Sequence, residues 1–426
     1  MKNQNSVVAS THPYAAFRVP GVIRYLLGSI LVQIGMGAQG LAIGWEIYLR
    51  TGKPLALGLV GGVQAIPMLL FTLPAGYLAD RFDRRRLIAC CLLGVAACSL
   101  GLAWESHVHG AIGWMYLLLG LDATFMTLQR PASISIFPAL VPPEFFENAI
   151  KWRSSLDQLC AISGPALGAL IIIWSTPAAY ALNSVFAILF IGLLLSLRLK
   201  PSPTAAGAMS LANVLAGVHF VRSRKVLLAN ISLDLFAVLL GGAVYLLPAY
   251  ARDILHVGKL GLGWLRAAPA VGACCMALTL AHLPPMRRAG RTMLLAVAGF
   301  GLATIVFGLS RNFVLSWAML FLTGAFDNIS VVVRHTMVQM LTPDEMRGRV
   351  SAVNWIFIGS SNEIGGLESG LLASLTSPLK SVVLGGIGTL AVVAVWALGF
   401  PNLRRFGVLS SLHEEELIVG EEKILL

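Results

Sequence analysis

GYLADRFDRRR, Gly76 to Arg86, places four arginines in a short turn between two apolar stretches, each long enough to cross a membrane. A basic corner held between two spans marks a moving part of a membrane protein rather than a reaction centre. The composition agrees: 57% of the residues are hydrophobic and 12% are charged, far from the balance of a soluble domain. The 43 glycines suit helices that associate in lipid by close backbone approach.

Outward from this turn, apolar runs of about 20 residues, the length that a helix needs to span a bilayer, fall at 22–49, 54–79, 87–104, 112–138, 146–174 and 177–198. After a polar stretch, six more fall at 226–250, 260–283, 292–310, 313–340, 346–375 and 379–400. An all-α membrane protein of twelve transmembrane helices follows, organised as a tail (1–20), a six-helix bundle (21–199), a linker (200–225), a second six-helix bundle (226–402) and a second tail (403–426).

Short loops rich in lysine and arginine stay in the cytoplasm. Alternate loops hold Arg81, Arg84, Arg85 and Arg86; Lys151 and Arg153; Arg198, Lys200, Arg222, Arg224 and Lys225; Arg287, Arg288 and Arg291; Arg347 and Arg349. The opposite loops hold only Arg50, Lys53, Arg252, Lys259, Arg311 and Lys380. Both termini are therefore expected in the cytoplasm of a bacterial cell, and the net charge of +11 records this asymmetry. No continuous basic face exists for nucleic acid. The opening MKNQNSVVASTHPY lacks the features of a cleaved signal, so the first helix is expected to be retained. Cys90, Cys91, Cys98, Cys160, Cys274 and Cys275 lie inside apolar runs without metal or redox spacing and read as small core residues.

The halves repeat at an offset of about 200 residues. Pro143-Glu144 precedes the fifth helix as Pro343-Asp344 precedes the eleventh, and Thr176-Pro177 opens the sixth much as Ser377-Pro378 opens the twelfth. A hydroxyl before proline caps a helix start, and Thr342 with Glu345 has the spacing of a capping box. Parallel repeats of this kind are a transporter architecture.

With these residues in view, the chain resembles a major facilitator superfamily transporter. Gly76, Leu78, Ala79, Asp80, Arg81, Arg84 and Arg85 match that superfamily's loop signature, with Asp83 where a glycine is usual. The resemblance implies a gating loop, with Asp80 set against the positive start of the eleventh helix and arginines clamping carbonyls and carboxylates. Leu233 to Leu255, Gly261 to Ala273 and Arg347 to Gly370 resemble the branch containing enterobactin and other siderophore exporters and macrolide-efflux-like permeases. Gly366 departs from that branch, which would place a second acid there beside Glu363 and Glu368. SGPALGAL, Ser163 to Leu170, resembles a fifth-helix exporter motif: Pro165 permits a bend, and Gly164 and Gly168 permit close packing.

Ionisable groups in mid-span cost about 2.5 to 3.5 kcal/mol and usually face an internal cavity. Asp122 shares a helix face with Phe125, Met126 and Gln129; Asp234 with Asn230, Gly241 and Tyr245; Asp327 with Ser330 and Arg334. The resemblance sets helices four, seven and ten on the central cavity. A proton-driven cycle needs a carboxylate that binds and releases its proton in the physiological range, which a desolvated site supplies. Asp234 and Asp327 lead as coupling residues, followed by Glu363, Asp122 and Glu368, the last two glutamates lying about 140° apart around one helix. Against this stands permanent pairing, of Asp327 with Arg334 or of Asp122 with Arg130. Asp157 serves either a cavity or packing.

Gln33, Met36, Gln39, Gln129, Phe236, Asn354 and Trp355 suit a mixed polar and aromatic cavity for an amphiphilic organic cargo. The linker's Leu211, Val214, Leu215, Val218 and Val221 predict an interfacial amphipathic helix against lipid head groups, and five glutamates make the C-terminal tail acidic. No nucleotide, metalloprotease, hydrolase or dinucleotide motif is present, and the eight histidines are scattered, so neither an enzyme, a cofactor nor a metal site is expected. The reading is a proton-coupled, alternating-access exporter acting as a monomer on a small molecule such as a siderophore. The alternatives are a multidrug or macrolide efflux permease, a lysophospholipid flippase or a passive facilitator.

Overall fold

The computed structural model describes residues 14–197 and 211–407, apart from 242, 285, 287 and 406. Arg198, Lys200, Arg287, the start of the linker and the acidic tail lie outside the described residues. Every regular element described is helical. Twelve long helices occupy the twelve apolar runs: α1 (Pro20–Thr51), α2 (Pro54–Arg81), α3 (Arg84–His107), α4 (Ile112–Leu140), α5 (Phe146–Trp174), α6 (Thr176–Leu195), α7 (Lys225–Leu240 and its continuation), α8 (Gly258–His282), α9 (Ala289–Leu309), α10 (Phe313–Met340), α11 (Asp344–Leu375) and α12 (Pro378–Gly399). A linker helix, Leu211–Ser223, precedes α7. Ten of the twelve are apolar and long enough to cross a membrane by length and composition. The other two, α4 and α11, have the length, at 29 and 32 residues, but carry Asp122, Gln129 and Arg130, or Asn354, Glu363 and Glu368.

Helix starts follow local chemistry. Proline occupies the first turn of α1, α2 and α12, where no N–H is missed. Ser377 accepts from Lys380 N at 3.2 Å, as its position before Pro378 predicts. Thr342 does not cap α11: Pro343 takes the cap position, so α11 begins one residue later than Thr342 requires, and the buried Thr342 hydroxyl has no hydrogen-bond partner among the described residues. Ser175 rather than Thr176 precedes α6, without a side-chain bond.

α7 departs from the single span read from the sequence. Its α-helical turns stop at Leu240; Ala243–Leu246 is 3-10, Leu247–Ala249 is one α-helical turn, and Tyr250–Ile254 is π-helical. Gly241 opens the break, and Pro248 has no N–H for the carbonyl four residues back. Short π stretches and interrupted spans recur at functional sites of membrane proteins.

Contacts divide the chain into two compact units. One holds α1 to α6 with the stretch Leu247–Ala267, and the other holds the linker helix, α7 to Leu246 and the helices from Ala268 onward. In the first, α1 packs on α5 and α6, α3 on α4 and α6, and α2 on α4. In the second, α7 packs on α11 and α12, and α9 on α10 and α12. α8 meets α10 so closely that a Cβ on Gly324 would lie 1.8 Å from Pro269 O. The same packing pattern thus occurs twice, six helices apart, as duplication requires. Tyr25, Phe137 and Phe190 interlock in the core of the first unit; Leu233, Met293, Val333 and Met337 fill that of the second.

Candidate functional site

The second unit gathers charge around α7 and α10. Asp234, in the middle of α7, and Arg334 of α10 are 6% and 3% exposed and form an ion pair. Asn230, one turn earlier, donates from Nδ2 to Arg334 O at 3.3 Å. The alternative pairing of Arg334 with Asp327 is not what forms. Two turns of one helix separate those residues by about 10.5 Å along the axis, whereas α7 brings Asp234 directly to the guanidinium. Asp327 instead lines, with Asp234, Ser330, Phe300 and Phe326, a small cavity of about 10 Å³, room for about one water. Two carboxylates therefore line one small space, and a guanidinium pairs with one of them.

On α11, Glu363 accepts from Tyr245 OH at 2.5 Å. The Tyr245 ring lies over Gly366, where a Cβ would come within 2.7 Å of it, so the position at which an acid was expected is filled by a phenol from α7. Glu368 accepts from Ser369 Oγ at 3.3 Å, and the two glutamates have different partners. Asn354 is buried, and its Oδ1 makes no hydrogen bond; Trp355 is 47% exposed. Phe236 packs at a tilt against Trp396 of α12, ring centroids 5.4 Å apart. It lies about 200° around α7 from Asp234 and does not join that cavity.

In the first unit, Gln39 is buried and accepts at Oε1 from Ser99 Oγ (2.8 Å) and Asn183 Nδ2 (3.1 Å). Its side chain lies near Asp122, which makes no ion pair with Arg130 or any other described residue. Gln129 is buried and donates to Met126 Sδ. Gln33 donates to Asp157 Oδ1 at 2.8 Å and ties α1 to α5. Met36 packs against the apolar core. Sequence reading passed over Glu46, which is 5% exposed, pairs with Arg50 and accepts from Tyr180 OH at 2.8 Å. Arg50 also donates to Ser106 O and Gly110 O. The signal was present as an acid and an arginine four residues apart in an apolar helix.

Residues 25–366 match the sequence profile of the Major Facilitator Superfamily. The chain belongs to the Major Facilitator Superfamily. Similar proteins include the Enterobactin exporter EntS of Shigella boydii serotype 18 and that of Escherichia coli O1:K1 / APEC, each 29% identical over 407 residues, covering 94% of this chain and 95% of the relative. Among solved structures, the nucleoside transporter NupG superposes with a TM-score of 0.71 at 12% identity, covering 91% of this chain and 99% of that one. A D-xylose-proton symporter superposes with 0.69 at 12% identity, covering 91% and 98%; at such identity the likeness is one of fold. Membership in this superfamily makes the chain a multi-pass integral membrane transporter of small molecules, not an enzyme, and accounts for the repeated six-helix packing.

Its superfamily loop is built from local bonds. Asp83 caps α3 by accepting from Arg86 N at 3.0 Å. No residue in Gly76 to Arg86 has a positive φ, so aspartate serves where the signature has glycine because the turn needs a cap and not a left-handed residue. Gly76 is buried, Asp80 half-buried near the end of α2, and Arg81 donates to Tyr77 OH at 2.8 Å. Arg85 donates to Leu197 O and, at 2.9 Å, to Leu195 O, while Arg24 reaches Ser196 O at 3.2 Å. These cations satisfy the open carbonyls at the end of α6. In α5, Cβ atoms on Gly164 and Gly168 would lie 3.1 and 2.7 Å from the Cα atoms of Gly37 and Ala38. The two glycines are thus the surface on which α1 rests, beside Pro165.

Proposed function

We propose that this transporter is a proton-driven exporter of a small amphiphilic organic molecule, of the siderophore class handled by the enterobactin exporters that it resembles. The observation that carries the coupling is the cavity shared by Asp234 and Asp327 beside a single guanidinium. With both carboxylates ionised, that cluster bears one uncompensated negative charge in a membrane-spanning region, and one proton neutralises it. Gain and loss of that proton changes the charge between α7 and α10, and so can bias two closely balanced conformations. Similarity over nearly the full length of both chains supports the export direction and cargo class. Within the first unit the amides of Gln33 and Gln129, and within the second the Asn354 amide and the exposed ring of Trp355, supply polar and aromatic groups suited to cargo. The loop Gly76 to Arg86 acts as a conformational latch. The arginine-rich loops support an inner-membrane location with both termini in the cytoplasm, and the chain works as a monomer.

The test has two parts. In inverted vesicles, proton-gradient-driven cargo uptake is expected to be lost in both Asp234→Asn and Asp327→Asn; retention in both would overturn the coupling. Untargeted comparison of culture medium from deletion and overexpression strains is expected to show a catecholate that follows expression. An unchanged profile with altered drug sensitivity would replace siderophore by drug efflux.

A further inference from the structure

Asp122 stands on different electrostatic terms from Asp234. It lies in mid-α4, 7% exposed, and α4 packs on α2 and α3 and touches α1. From α1 the Gln39 side chain lies near it, and from α3 the Cys98 thiol. The titratable residues of α2 (Tyr77, Asp80 and Arg81) are confined to its final turns. On α4 itself Arg130 is eight residues away, about 12 Å along the axis. Among the described residues no cation pairs with a carboxylate in this seat, unlike Asp234 with Arg334.

The seat is nevertheless built. Gln39 Oε1 takes both Ser99 Oγ and Asn183 Nδ2, and Asn183 Nδ2 also reaches Ser99 Oγ at 3.0 Å. Two donors on one oxygen fix which way the amide points and keep its Nε2, the other arm of the amide, available to the nearby Asp122. Ser99 and Asn183 are both fully buried, so the amide is held by α3 and α6 while it serves a residue of α4. Asp122 Oδ1, enclosed in the bundle, has no hydrogen-bond partner. A neutral amide beside one carboxyl group, with an enclosed and unbonded oxygen on that group, suits a site whose charge is balanced by a proton on the carboxylate itself.

We propose that Asp122 is a second proton-binding site, separate from the Asp234 and Asp327 cluster, with Gln39 as the residue that positions it through Ser99 and Asn183. The step is the reversible protonation of one carboxylate and needs no other reactant. Its place in the cycle rests on the proton-driven reading above, where it adds a second proton to the one taken by the α7–α10 cluster.

Infrared difference spectroscopy of the purified full chain in lipid, titrated across the physiological pH range, tests this without knowledge of the cargo. The wild type is expected to show a protonated-carboxyl band that disappears as pH rises. Asp122→Asn should lose that band, Asp122→Glu should move it, and Asp234→Asn and Asp327→Asn should keep it. Gln39→Leu and Ser99→Ala should displace its frequency and titration midpoint, which a merely space-filling Gln39 would leave unchanged. A band set identical in the wild type and Asp122→Asn, or an Asp122 band that does not titrate, overturns the proposal. So does a titration that changes when choline replaces sodium, since the ligand would then be a metal cation. Loss of uptake in Asp234→Asn and Asp327→Asn with no Asp122 band would sink this site alone. A titrating Asp122 with uptake indifferent to the proton gradient would sink the proton-driven reading instead.

Discussion

Arg334 compensates one of the two carboxylates, Asp234 and Asp327, that line the cavity at α7. Removing one member of a buried pair leaves the other charge unsupported, which costs about 3–5 kcal/mol, while replacing both members is often neutral. Arg334→Leu should therefore lower the thermal midpoint of the detergent-purified protein sharply, and Asp234→Asn combined with Arg334→Gln should recover most of the loss. Equal midpoints for the single and double variants would show that the pair is not the stabilising unit. Tyr245 and Gly366 give a steric counterpart. A methyl at Gly366 meets the ring at 2.7 Å, and overpacking of this order costs about 1–3 kcal/mol. Gly366→Ala should reduce cargo transport by about tenfold, equivalent to roughly 1.4 kcal/mol. In a Tyr245→Ala background the same substitution should have no further effect, since the space it fills is already empty.

The seam between α1 and α5 shows what close approach does for an element. A valine at Gly168 has no room, because Ala38 Cα would lie 2.7 Å from its Cβ, whereas Gly40, two residues on in α1, has nothing within 4 Å. Gly168→Val should cost about 1–3 kcal/mol by forcing the helices apart, and Gly40→Ala should leave the midpoint unchanged or raise it slightly through helix propensity; similar midpoints in the two variants would contradict the seam. At this scale the twelve spans were legible because lipid allows few alternatives to long apolar helices. The break in α7 was not, since Gly241 and Gly242 in an apolar run read equally well as packing glycines, and only the neighbouring helices decide. The acidic positions were visible for the same reason as the spans, as costly interruptions of an apolar pattern. Their partners were not. Periodicity relates residues of one helix and so offered Asp327 to Arg334 and Arg130 to Asp122, while the pairing that forms joins α7 to α10. Glu46 escaped notice because it stands near a helix end, where charge is unremarkable, although it is among the most buried acids described.

For the whole molecule, twelve spans place both ends of the chain on one side, and the distribution of arginine decides which. The loop after α2 holds four arginines in Gly76 to Arg86, whereas the turn between α1 and α2 holds Arg50 and Lys53. Arg50 is half-buried and committed to Glu46 and to carbonyls at and just past the end of α3, so the exposed bias of that side is weaker still than the residue count. The positive-inside tendency then predicts a definite pattern of labelling by a membrane-impermeant maleimide in a background with the six native cysteines replaced. Cysteines at Lys53 and Arg311 should label in intact cells; those at Glu144 and Ser223 should label only after lysis. The reverse pattern would put the arginine loop outside, and the latch and the direction of transport would then have to be reassigned together. Labelling of both groups in intact cells would mean that the twelve helices do not alternate across the bilayer as their packing implies. The paired sites matter because each probes a different unit: Lys53 and Glu144 report on α1 to α6, and Ser223 and Arg311 on the helices that follow. A pattern correct in one unit and inverted in the other would contradict parallel duplication, which carries each loop of the first half onto the same side as its counterpart in the second.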